Sequence, residues 1–115
     1  IPADLHKVQE EIDDAAKERI RAIKKEAKED AKSIKNEMKG LKKEAKEGLK
    51  NYKENLENSN DPTAKEKISV AESVNKVVEK NIENDYKRSK DQLTREKDYR
   101  ISSIENMLDD EKSDR

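Results

Sequence analysis

Cysteine, phenylalanine and tryptophan are all absent from this 115-residue chain. Without cysteine there are no disulfides, no thiolate metal sites and no thiol catalysis. Without Phe and Trp, and with only three Tyr, no aromatic-rich globular core is available. Glycine and proline occur twice each, so turns and breaks are few. The single histidine, His6, stands near the first residue and outside any apolar stripe, where it reads as solvated rather than as a base or ligand. No run approaches the ~18 apolar residues of a membrane-spanning helix. Glycine-rich phosphate loops, nucleophile elbows and paired metal-binding histidines are missing too. The acidic pairs Asp13-Asp14 and Asp109-Asp110 lack the spacing of a calcium loop. The expectation is therefore a protein that is not an enzyme and carries no cofactor.

Charge is what the chain has in abundance. Asp, Glu, Lys and Arg make up 48% of residues, about twice the usual share, against 30% apolar. Such a composition suits either a disordered chain or a long helix, and periodicity decides between them. Leu5, Ala16, Ala27, Met38 and Leu49 recur every eleventh residue, as do Ala71, Ile82, Leu93 and Ile104. Eleven residues are three helical turns at about 3.67 per turn, so the apolar positions stay on one face of a long, nearly straight helix.

The first helix is predicted over residues 3–57. Its seam reads Leu5, Val8, Ile12, Ala16, Ile20, Ile23, Ala27, Ala31, Ile34, Met38, Leu41, Ala45, Leu49, Tyr52 and Leu56. A turn is predicted at 58–61, where Asn, Ser and Asp precede Pro62; Asp61 reads as an N-cap with Pro62 in the first helical position. The second helix is predicted over 62–110 with a frayed tail at 111–115. Its seam reads Ala64, Ile68, Ala71, Val74, Val78, Ile82, Tyr86, Leu93, Ile101, Ile104 and Leu108, thinning after Tyr86 where Ser89 and Lys97 take core-like places. Two helices of nearly equal length joined by a short loop fold back on each other. The fold class is thus all-α: a single domain, 1–115, forming a long antiparallel two-helix hairpin with an eleven-residue coiled-coil repeat. Folding about residue 59 pairs residues whose numbers add to roughly 118, which sets Leu41 against Val78 and Ile34 against Ile82. A thin two-helix core also favours pairing into a four-helix assembly.

The net charge of −1 conceals a strongly basic stretch, with fourteen basic and seven acidic residues between 17 and 53. Lys17, Arg21, Lys24, Lys28, Lys32, Lys35, Lys39, Lys42, Lys46, Lys50 and Lys53 each follow a seam residue by one, making a basic edge along the first helix. Two readings stand: ion pairs with Glu72, Glu79, Glu83 and Asp98 of the second helix, or a surface for an acidic partner. On the other edge Val70, Val74 and Val77 widen the second helix's stripe, and the 118 rule sets Gly48 and Gly40 across from them. Each glycine costs a helix about 1 kcal/mol relative to alanine. They either let the two backbones approach closely or leave an apolar groove for a second copy or a partner helix. The segment Ile23–Glu29 is echoed at Leu41–Glu47, eighteen residues or five turns later, as expected of low-complexity helix.

The function expected is a structural or protein-interaction module: a spacer, a scaffold or a helix-mediated binding surface, engaging itself or another protein. The alternative is reversible binding to an anionic lipid surface, since eleven-residue amphipathic repeats with boundary lysines suit helices lying on membranes. Nucleic acid is disfavoured by scarce Arg, few aromatics and the near-neutral balance. A soluble chain is expected. A first residue of Ile1 is compatible with secretion after removal of a signal peptide, and the compartment is otherwise left open.

Overall fold

A computed structural model describes residues 3–113, with side chains from Asp4 to Asp110. It is a hairpin of two long helices, α1 (Ala3–Glu57) and α2 (Ala64–Ser113). The helix continues through residues 111–113, where a frayed tail was expected; residues 114 and 115 lie outside the described part. Contacts divide the chain into two compact units, one made of residues up to Lys32 with those from Asp91, the other of Ser33–Lys90.

The turn is built from local chemistry. The Asn58 amide still bonds the Glu54 carbonyl at 3.0 Å, and the Ser59 amide tightens onto Leu56 at 3.2 Å, so α1's ladder runs on beyond Glu57 before the chain reverses. The carboxylate of Asp61 accepts the Thr63 amide at 2.8 Å and the Thr63 hydroxyl at 2.6 Å, as an N-cap should. Its other oxygen takes the Lys67 ammonium. Pro62 and Thr63 form the capped first turn, which is why regular α2 starts at Ala64 rather than at 62. Lys67 and then Thr63 hold the Asp61 carboxyl well below the usual carboxylate range. A lowered carboxyl stabilises the fold fully above its unfolded pKa of about 3.9 and loses that contribution as pH falls towards its folded value. The stability gap between the native chain and Asp61→Ala should therefore be flat from pH 7 to about pH 5 and shrink below about pH 4. Urea melts across that range check it; a gap that widens in acid would contradict the capping role.

The seam of α1, with Gln9 and Asp13 half-buried at its start, runs through the half-buried Ile12, Ala16, Ile20, the fully buried Ile23, Ala27, Ala31, Ile34, Met38, Lys42, Ala45, Leu49, Lys53 and Leu56. They advance by 4, 4 and 3 residues without a break. On α2 the same stepping joins Ala64, Ile68, Ala71, Asn75, Glu79, Ile82 and Tyr86, then Leu93, Lys97, Ile101, Ile104 and Leu108. Lys90 falls in the gap and places its ammonium 6.0 Å from the centre of the Tyr86 ring.

This corrects the predicted seam at six places, Leu5 and Val8 near the start of α1 and four nearer the turn. Leu41 and Tyr52 are exposed, and the neighbouring Lys42 and Lys53 are half-buried in their stead. Val74 and Val78 are exposed, and Asn75 and Glu79 take their places. The phase of the helix, fixed by Ile34, Ala45 and Leu56 on α1 and by Ala71 and Ile82 on α2, carries the seam through the polar neighbours. Lysine's aliphatic stem can cover apolar surface while its ammonium reaches water, so the substitution on α1 is chemically mild.

The register also differs from the expectation. Three ion pairs tie the helices together: Lys42–Glu83 at 2.5 Å and Lys53–Glu72 at 2.9 Å in the unit Ser33–Lys90, and Glu26–Arg100 at 3.4 Å in the other. Their numbers add to 125 or 126 rather than 118. The difference of about seven residues is two helical turns, which leaves the same faces opposed. The overrun of α1 into Asn58 and Ser59 moves the reversal outward and accounts for part of it. Val8 shares the helical phase of Leu41 and Tyr52 and is exposed for the same reason, with the neighbouring Gln9 half-buried in its stead; Leu5 is exposed as well.

Candidate functional site

The two flanks of the seam in the unit Ser33–Lys90 differ in kind. One is polar and closed. Lys42 and Lys53, eleven residues apart on α1, reach Glu83 and Glu72, eleven apart on α2. The hydrogen bond from Lys42 holds the Glu83 carboxyl below its ordinary value. These are partly exposed pairs, and solvent and salt screen each of them.

Of the eleven residues of the predicted basic edge, only these two enter the seam. Lys17, Arg21, Lys24, Lys28, Lys32, Lys35, Lys39, Lys46 and Lys50 are exposed. Arg21 bonds Glu18 on its own helix at 2.7 Å. Asp98, expected across from the edge, lies 3.7 Å from its neighbour Lys97. At Glu26–Arg100 the signs are reversed, with the acid on α1.

The other flank is apolar and open. Val70 is 64% exposed, Val77 59% and Val74 55%, with Val78 beside them. On α1, Leu41 (45%) and Tyr52 (41%) lie along the same side. Two depressions mark it. A groove of about 550 Å³ near the turn is lined by Tyr52, Thr63, Glu66, Lys67, Val70, Ala71 and Val74. A cavity of about 220 Å³ farther along is lined by Ile34, Met38, Leu41, Ile82 and Tyr86, with Glu37, Asp85 and Ser89 at its polar edge.

Gly48 lies on this open side and Gly40 on the outer face of α1, and one of the two readings of them fails. A methyl group added at Gly40 or Gly48 would meet nothing within 4 Å. They do not permit close packing of α1 on α2, because no part of α2 is near them. Both keep ordinary negative φ, so no turn or left-handed conformation requires glycine either.

Val70, Val74 and Val77 are thus brought together with each other and share their side with Gly48. Leu41 and Tyr52 belong to the same surface but were assigned to the core from sequence. The signal that identifies them is the unbroken 4-4-3 step from Ile12, which passes through 42 and 53.

Among the described residues there is no cluster of three or more His, Asp or Glu positioned to hold a metal ion, and no helix long and apolar enough to cross a membrane. The chain matches no protein-family model, and comparison with curated proteins and with solved structures finds nothing similar to it.

Proposed function

We propose that this chain is a non-enzymatic helical interaction module, an eleven-residue-repeat coiled coil whose working surface is the open apolar flank of residues 33–90. The observation that carries this reading is the asymmetry of the two flanks. One is zipped by Lys42–Glu83 and Lys53–Glu72; the other leaves four valines, Leu41 and Tyr52 to solvent in a chain that is otherwise very polar. Clustered apolar surface on a soluble fold is the usual mark of a binding site, whereas single exposed apolar residues are not. Water-exposed valine on a helix also gains nothing from propensity, since its branched side chain makes it a middling helix former.

A lipid surface is the less favoured occupant. Helices that lie on anionic bilayers place lysines along the border of the apolar face. Here α1's lysines lie on the ion-paired side, and the border of the open flank on α1 carries Glu37 and Glu44 instead. The same acids disfavour nucleic acid.

The test is a double substitution, Val74→Lys with Val77→Lys. The native chain should enhance the fluorescence of an apolar-site dye such as anilinonaphthalene sulfonate, and the double variant should lose most of that signal. Helical circular dichroism should be unchanged, because both residues are exposed. Equal dye binding by the two proteins would remove the flank as a binding surface.

A further inference from the structure

Resting on that reading, we infer that the flank takes a third helix of a particular chemistry: an amphipathic partner helix whose apolar stripe is bordered by Lys or Arg. Three observations converge on it. The flank runs along both helices for about four turns, from the groove at Tyr52 and Val70 to the cavity at Leu41 and Tyr86, which is the shape of a helix seat. A third helix laid there completes a bundle and covers a seam in which no residue between 33 and 90 is fully buried.

The second observation is charge. The α1 face that borders the flank steps through Glu37, Leu41, Glu44, Gly48, Tyr52 and Asn55. It contains two acids and no base. On the α2 side Lys67 is engaged by Asp61, and Arg88 by Asp85. The flank is therefore acidic on balance, in a chain whose α1 is strongly basic elsewhere. Two copies meeting flank to flank would bring together four glutamates, and like charges across an interface select against that pairing. A helix with basic borders meets them favourably.

The third is a glycine. Gly48, on the flank, weakens α1, and the space beside it is empty. That cost is unrewarded within the hairpin but is offset if another backbone comes close at that position, as small residues allow at helix crossings.

The experiment uses the full chain and a labelled 18-residue probe peptide built from Leu, Ala and Lys, with Lys along both borders of the apolar stripe. Anisotropy titration should show saturable binding that weakens as salt is raised. A companion peptide with Glu replacing each Lys should bind at least tenfold more weakly. Val74→Lys with Val77→Lys should weaken the Lys peptide at least tenfold, and Glu37→Gln with Glu44→Gln several-fold. Gly48→Leu should raise the melting temperature of the hairpin while weakening the peptide; a purely structural role for the glycine gives the first effect without the second.

Equal binding of both peptides, or binding indifferent to the valine substitutions, would overturn the inference. So would a concentration-dependent dimer in sedimentation that the valine substitutions abolish, with no peptide bound, which assigns the flank to a second copy. Flotation with phosphatidylserine vesicles in the absence of peptide binding assigns it to lipid. Each of those two results leaves the flank a binding surface, whereas failure of the dye test removes the surface itself.

Discussion

Replacing Ile23 with alanine should cost about 2–3 kcal/mol, near the low end of the range for deleting a buried isoleucine side chain. Replacing Val77 with alanine should cost less than about 0.5 kcal/mol. Both are β-branched residues on long helices, and nothing in their immediate sequence sets them apart. The difference is position: Ile23 keeps 2% of its surface in water and Val77 keeps 59%. The low end applies because Ile23's seam neighbours, Ile20 and Ala27, are themselves only half-buried, so the site can partly collapse. Urea or thermal melts measure the effect. Hydrogen exchange should locate it, with protection falling first in the unit that contains Ile23, residues 3–32 and 91–113, and less in Ser33–Lys90. Equal losses at 23 and 77 would mean that the open flank is covered in solution and the burial pattern is wrong.

How the seam was legible, and where it was not, follows from the same residues. Ile12, Ile23, Ile34, Ala45 and Leu56 stand eleven apart, and no other helical face offers comparable apolar volume, so the hairpin and its buried face can be read directly. Near the turn the sequence offers two apolar choices at each step: Leu41 or the stem of Lys42, Tyr52 or the stem of Lys53. Hydropathy ranks Leu and Tyr above Lys. Geometry ranks phase above hydropathy, because the buried face cannot jump by about 100° for one turn and return. Glu72 and Glu83 then complete the argument by meeting the lysine ammonium groups. The valines show the converse. Val74 and Val78 look like core by composition, yet the step from Ala71 to Ile82 runs through Asn75 and Glu79, leaving the valines outside.

The candidate site was legible in part for that reason. Val70, Val74 and Val77 stood out as an excess of apolar residues on one edge, and Gly40 and Gly48 as an unexplained weakness in a long helix. That the close-packing reading of the glycines fails required knowing that nothing of α2 lies within 4 Å of a methyl group added there. The distance between backbones is not written in either helix alone.

Register is the property that the pattern is least able to fix, and it gives a sharp experiment. A seam that repeats every few turns accepts a slide of α2 by about seven residues with every apolar face still opposed, so matching stripes cannot choose between sums of 118 and 125. The ion pairs choose, because Lys42–Glu83, Lys53–Glu72 and Glu26–Arg100 all belong to the longer sum. With no native cysteine to interfere, two introduced pairs separate the alternatives. Leu49→Cys with Asn75→Cys lies close to the observed register, and Leu49→Cys with Ile68→Cys fits a hairpin folded about residue 59. Seven residues along a helix are about 10 Å. A disulfide tolerates Cα separations of only about 4.4–6.8 Å. Under mild oxidation the 49–75 pair should close nearly completely within a single chain, and the 49–68 pair should remain largely reduced or link separate chains. Closing the long loop should also raise the melting temperature of the 49–75 protein, because the cross-link restricts the unfolded chain. Preferential closure of 49–68 would move α2 by two turns, place Val70 level with Gly48, and separate the lysines from the glutamates that now meet them.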